Sequence, residues 1–342
     1  MKNENISKPF TVKSAGGAAS QCLALMNAIY VSKRINRPFE LKHFPYSTGG
    51  YFPVAIEHLL SKEELVLSEG MTKGFENPNV VGVGKIIENH PLLRRGFSWE
   101  KLFRLIRKMK LERPIKRLRR EWSLNYSLKL LNKVPRDVIS ISGGYIPIVD
   151  AEVRQEMDKR FKAAGIPSPF DPRAIAAPIP EVVIHYRIGE KRTTYSHAGL
   201  GGDGIIDPIV FARILETENL SGSEGVYVVS DEPLVAQKLL LEVGIVAKTN
   251  PVRGDLWVDM CLMSRADVLI CPWSTVSQLV ATFMVLDNKK VYYPTHPSSQ
   301  VKLGWSIEGV TLYTPVYLPK EHSIYKGDFE FEENPHKIYD TK

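Results

Sequence analysis

The stretch Val182-Val183-Ile184-His185-Tyr186-Arg187-Ile188-Gly189-Glu190 decides how the chain is read. An apolar run with the look of a buried strand ends abruptly in a histidine, an arginine, a glycine and a carboxylate. Side chains alternate faces along a strand, so His185 and Arg187 point the same way at its carboxyl end. In an open α/β sheet that end is where ligands bind. Arg187 carries a fixed cationic fork suited to phosphate. An arginine–glutamate pair that simply closes the strand is the structural alternative.

Working outward, strands are expected at 182–186, 226–229, 244–247, 268–271 and 290–293, with helices over 234–243, 255–263 and 275–284. Alternation of this kind makes a parallel sheet with helices on both faces. The first half opens with a strand at 10–12, a small-residue loop at 14–20, a helix over 21–34 and a strand at 39–41. Leu23, Met26 and Tyr30 form the helix's apolar stripe, and Asn36-Arg37-Pro38 ends it. A further strand at 137–142 and a helix over 150–164 precede a proline-rich stretch at 166–180, which reads as a linker. The expected architecture is α/β: two Rossmann-like domains (1–165 and 181–342) with a cleft between them.

Composition excludes several classes. The 342 residues are 44% hydrophobic and 24% charged, which is globular and long enough for two domains. No apolar run reaches the roughly eighteen residues that would suggest a membrane span. The polar N-terminal stretch leads into no signal-peptide apolar region. Cys22, Cys261 and Cys271 form no CxxC pair, which argues against a disulfide scaffold or zinc site and fits a reducing, cytoplasmic setting. The net charge of +7 is concentrated: residues 94–120 hold twelve Lys or Arg against Glu100 and Glu112, interleaved with Phe97, Trp99, Phe103 and aliphatics. This reads as a basic amphipathic helix broken near Pro114. It suits an anionic membrane surface, or a polyanion such as nucleic acid. A solvated basic face over an ordinary core helix explains it equally simply.

Three second-half loops follow expected strands and line one edge of the sheet. The first carries His185, Arg187, Gly189 and Glu190. The second is Ser230-Asp231-Glu232-Pro233, where Ser230 or Asp231 could cap the following helix. The third is Pro272-Trp273-Ser274-Thr275-Val276-Ser277-Gln278, a hydroxyl-rich helix start that could serve as a cap or cradle a diphosphate. No DxD pair follows a strand, and HExxH and GxSxG are absent. His185, His197 and His296 are scattered.

The order of these motifs resembles the GDP-fucose-dependent fucosyltransferases, especially the bacterial-type α-1,2 family and its α-1,6 and protein O-fucosyl relatives. That family's GGLGNQ loop is matched by Gly16-Gly17-Ala18-Ala19-Ser20-Gln21, and its HxRRGD by His185 to Glu190 with Ile188 for the second arginine. Its SDD is matched by Ser230-Asp231-Glu232. Its LMS is matched by Leu262-Met263-Ser264, and its STFSWW by Ser274 to Leu279 with Gln278-Leu279 for the tryptophans. Gly144-Tyr145 resembles a glycine–aromatic turn of the family.

The resemblance implies a GT-B fold and a GDP-sugar held by the C-terminal domain. It also implies inverting transfer with no cofactor or essential metal. On that reading Arg187 neutralises the leaving diphosphate and His185 touches the diphosphate or orients Arg187. Gly189, Ser230, Ser274, Thr275 and Ser277 line the donor site, and Asp231 anchors the guanosine. Gly16, Gly17 and Gln21 face the cleft from the other domain. Glu190 is the candidate base by position, with Asp203 a weaker one. The expected acceptor is a glycan or lipid-linked oligosaccharide, reached at the cytoplasmic face of the inner membrane through 94–120. Two alternatives stay open: a transferase for another nucleotide sugar, and a non-catalytic polyanion-binding protein.

Overall fold

A computed structural model describes residues 9–14, 18–43, 59–61, 64–67, 121–123, 140–142, 147–165, 168, 179–189, 191, 204–249, 256–295, 307–319 and 321–326. Two parallel sheets organise them. The first contains β1 (Phe10–Ser14), β2 (Phe39–His43), β3 (Leu65–Leu67), β4 (Glu121–Ser123) and β5 (Ser140–Ser142), in the order β3-β2-β1-β5-β4. The second contains β6 (Val182–His185), β7 (Val226–Val229), β8 (Lys248–Thr249), β9 (Val268–Ile270), β10 (Lys290–Pro294) and β11 (Thr311–Tyr313), in the order β11-β10-β9-β6-β7-β8. Every pairing in both sheets is parallel. The expected pair of Rossmann-like units is therefore present. The second sheet, counted from β6, has the doubly wound order 3-2-1-4-5-6 of dinucleotide-binding folds. Its direction of winding reverses between β6 and β9.

Helices cover these sheets: α1 (Ala18–Ile35), α2 (Ala151–Ala163), α3 (Ile209–Thr217), α4 (Pro233–Glu242), α5 (Leu256–Arg265), α6 (Thr275–Leu286) and the short α7 (Ser323–Lys326). None of the described helices is long and apolar enough to cross a membrane. β6 is apolar from Val182 to Ile184 because both its faces are covered. Val182 and Ile184 join one buried cluster with α3 and α4, while Val183 joins the other with α5 and α6. α2 begins where Asp150 accepts hydrogen bonds from the Glu152 and Val153 amides at 2.9 and 3.0 Å.

α1 departs from the expected amphipathic stripe. Every residue from Ala19 to Val31 is buried, including Ser20, Gln21 and Asn27. The helix packs on β1 and β2, on α2, and on α6 of the second unit, so between Ala19 and Val31 no face is left for water. Ala24 and Ala28 keep it thin where neighbours approach. One buried cluster therefore runs from the first sheet through α1 and α6 into the second. Arg154 of α2 ties the same junction, donating to the Phe283 carbonyl at 3.3 Å and pairing with Asp287 at 2.5 Å.

The strand expected at 244–247 is a helix exit instead. The Gly244 and Ile245 amides donate to Leu241 and Leu240, Gly244 takes φ +80, and the strand forms only at Lys248–Thr249. Ile245 and Ala247 are buried beneath the end of α4, and Gln237 grips the Ala247 carbonyl at 2.7 Å. Alternating burial here reflects packing under a helix, not ladder pairing. The basic stretch 94–120, the turn at 143–145 and the 166–180 linker (apart from Ser168, Ile179 and Pro180) lie outside the described residues.

At the edge of the first sheet, Arg160 of α2 makes a two-pronged contact with Glu64 at 2.6 and 2.8 Å and also donates to the Leu59 carbonyl. Burial alone would raise the Glu64 carboxyl. The Arg160 hydrogen bonds, the Ser61 amide and the Arg160 charge outweigh it and hold the group below its ordinary value. The arginine and glutamate side chains are 16% and 19% exposed, so the pair is only partly screened. Arg160→Met should cost about 2 kcal/mol at neutral pH in urea unfolding. A depressed carboxyl stabilises the fold above its unfolded pKa, and that contribution fades as pH falls through the folded value. The gap between wild type and variant should therefore shrink below about pH 4; a gap that stays constant to pH 3 would contradict the assignment.

Candidate functional site

The site grows from the carboxyl end of β6. The Tyr186 amide continues the ladder to the Val229 carbonyl at 2.8 Å, and its hydroxyl donates to the Ile206 carbonyl at 2.6 Å. Its ring meets Phe211 edge-on at 5.0 Å. Tyr186 and Ile188 are both fully buried in the cluster that holds Val182 and Ile184. The two-residue period thus continues past the strand, and Arg187 lies between two inward-facing neighbours, half-buried at the sheet edge. The Ile188 amide donates to Asp231 at 2.8 Å. A methyl at Gly189 would stand 3.1 Å from both the Asp231 and Glu232 carboxylates. The turn is closed against the loop that follows β7.

His185 faces the other way, toward α6. Its Nδ1 lies 2.6 Å from the Ser277 hydroxyl, and the residue is 8% exposed. Burial, then the Arg187 charge, push its pKa down to about 4, with Asp231 opposing. The imidazole is neutral at pH 7. Ser277 also hydrogen-bonds the Cys271 thiol, which burial raises far above the usual thiol range. Cys22, Cys261 and Cys271 are all buried thiols outside any disulfide.

Beside Arg187 opens a small depression, lined by Tyr186, Arg187, Lys191, Gly204, Ile206, Pro272, Trp273 and Tyr317. It sits between the ends of β6 and β9, at the reversal of the winding. Among the described residues that line it, two are cationic and none is acidic. Trp273 is braced edge-on against Tyr293 at 5.3 Å. Tyr317 arrives from the C-terminal segment through an antiparallel bridge to Ile206. The Leu318 amide donates to the Ile205 carbonyl at 2.9 Å, and the Tyr325 hydroxyl accepts from the Ile205 amide at 3.0 Å.

Several expected residues are placed differently. Ser277 is fully buried and presents no surface to a ligand; its hydroxyl serves His185. Ser274 caps α6, accepting from the Val276 amide at 3.2 Å, and Thr275 follows it, half-buried. Neither Ser230 nor Asp231 is the cap of α4. That position is Glu232, which makes no side-chain capping bond, and the helix starts on Pro233. The Ser230 hydroxyl accepts from the Glu232 amide at 3.1 Å instead. Gln21 is buried on α1. Gly16, Gly17, Glu190 and Asp203 lie outside the described residues. Lys191 and Tyr317 belong to none of the three candidate loops, and Trp273 enters the sequence reading only as a member of the third loop. Lys191 is one turn past Arg187 and Trp273 just precedes the α6 cap, so both were within reach of the motif. Tyr317 follows no apolar alternation and had no signal.

No family model and no curated protein matches the chain. Among solved structures it is similar to NodZ α-1,6-fucosyltransferase soaked with GDP-fucose, at 13% identity over 82% of this chain and 94% of that one, with a TM-score of 0.40. It is similar also to fucosyltransferase NodZ from Bradyrhizobium, at 12% identity over 80% and 92%, with a TM-score of 0.37. A third is the E. coli heptosyltransferase WaaC with ADP, at 12% identity over 88% and 92%, with a TM-score of 0.33.

A histidine buried neutral lowers stability on acidification, because the unfolded chain takes up a proton that the folded chain refuses. With the folded value near 4 against an ordinary 6.5, the loss develops between those pH values and reaches about 3 kcal/mol. Wild type should therefore lose more stability than His185→Gln between pH 7 and 4.5, in paired urea titrations. Parallel losses in the two proteins would mean that His185 titrates freely.

Proposed function

We propose that the chain is an inverting glycosyltransferase that binds a nucleoside-diphosphate sugar beside Arg187 and transfers the sugar to a glycan acceptor. One observation carries this reading. The depression lies outside the carboxyl ends of β6 and β9, where doubly wound sheets bind nucleotides, and the charged residues among its described lining, Arg187 and Lys191, are both cationic. Departure of a nucleoside diphosphate leaves negative charge on the outer phosphate. A guanidinium held in place before the reaction stabilises that charge with little reorganisation. Arg187 has that placement, supported by Lys191 and by the start of α6. His185 stays uncharged behind it and braces the strand end.

The order of motifs makes GDP-fucose the first donor to test and another nucleotide sugar the second. A base must take the acceptor's proton as the new bond forms. Glu190 is proposed for that step, with Asp203 next. The basic stretch 94–120 favours an acceptor held at an anionic membrane surface, such as a lipid-linked oligosaccharide for surface polysaccharide or lipopolysaccharide on the cytoplasmic face. Transfer through fixed protein cations should survive a chelator.

Thermal unfolding with GDP, UDP, CMP and ADP identifies the nucleotide, since a ligand of the folded state raises the midpoint. Arg187→Ala should keep the wild-type midpoint without ligand, and lose about tenfold or more in nucleoside-diphosphate affinity. Its turnover should fall about a hundredfold to a thousandfold. Arg187→Lys should recover little, because the planar fork is lost. Wild-type turnover in Arg187→Ala would remove the proposed role. A chain that ignores all four nucleotides but binds nucleic acid with steep salt dependence would favour the polyanion-binding alternative.

A further inference from the structure

We infer that Asp231 is a positioning residue, holding the Arg187 turn through the Ile188 amide, and that it does not read the nucleobase. The inference rests on the donor-binding reading of this site. One carboxylate meets two consecutive residues of the turn. Its Oδ1 accepts from the Ile188 amide at 2.8 Å, with the Ser230 hydroxyl 3.4 Å from the same oxygen. Its Oδ2 stands 3.1 Å from where a side chain at Gly189 would begin. Both oxygens are thus turned toward the 188–189 backbone, and Asp231 is not part of the depression's lining.

The physical need for this contact is plain. Ile188 is fully buried, so its amide must find an acceptor inside the protein or pay for its absence. Asp231 supplies that acceptor from the loop after β7. Because the carboxylate is fixed by the Ile188 amide, it cannot withdraw from position 189, and only glycine leaves it room. With Ile188 anchored inside, Arg187 is held at the opening. The guanosine-anchoring role expected from the motif gives way to control of the arginine's backbone.

The two roles make different predictions for calorimetric titration of GDP, ADP and UDP. Asp231→Ala should weaken all three by a similar factor, about tenfold, and leave their ratios at wild-type values. Asp231→Asn keeps an oxygen that accepts from the Ile188 amide and should stay within about threefold of wild type. Gly189→Ala should weaken binding in the wild-type background and cost less when combined with Asp231→Ala. A change in the GDP-to-ADP or GDP-to-UDP ratio in either Asp231 variant overturns the inference in favour of base reading. So does Asp231→Asn as weak as Asp231→Ala, or Asp231→Ala as tight as wild type. If Asp231→Ala does not fold, the affinity and ratios of Asp231→Asn decide alone. Wild-type protein that binds none of the three nucleotides removes the donor-site reading itself, a result separate from any of these.

Discussion

The parallel pairing of β6 with β7 on one side and β9 on the other is the constraint from which the site follows. Val182 to His185 register with Val226 to Val229, and Val182 to Ile184 with Val268 to Ile270. Because the three strands run the same way, the loops that leave them emerge at one edge. Because winding reverses between β6 and β9, the connections depart in opposite directions and leave a gap between those two ends. Arg187, Pro272 and Trp273 meet there. Burial of Tyr186 and Ile188 then determines which way Arg187 can face.

The charges around this edge are sorted by depth. His185 is withdrawn into the core and kept neutral by burial, so it adds no competing charge. Asp231 is turned to backbone amide and does not line the opening. The remaining cations face the opening. The backing of the site is continuous with the junction between the sheets: α6 offers Ser277 to His185 and packs its other side on α1. The arrangement of strand end, histidine and helix is therefore anchored in the same buried cluster that joins the two units.

Much of this was legible from residue order. The apolar run at 182–184 reads directly as a doubly covered strand, and the period of two continues past it, burying Tyr186 and Ile188 with Val182 and Ile184. Strand order was not legible, since it depends on pairing between segments far apart in the chain. α1 looked amphipathic from Leu23, Met26 and Tyr30, but the sequence around them did not show that α6 would cover the remaining face. The stretch 244–247 failed because a residue under a helix exit shows the same alternating burial as a strand. Ser277 looked like a ligand residue by its place in a hydroxyl-rich helix start. As the third residue of α6 it is buried completely. Tyr317 reaches the opening through a single bridge, which leaves no periodic trace.

The most direct test of the central claim is a crystal structure of the chain with a nucleoside diphosphate bound. The account predicts the diphosphate between the ends of β6 and β9, with a phosphate oxygen within hydrogen-bonding distance of the Arg187 guanidinium. A nucleotide seated elsewhere, with Arg187 directed away from its phosphates, would contradict it.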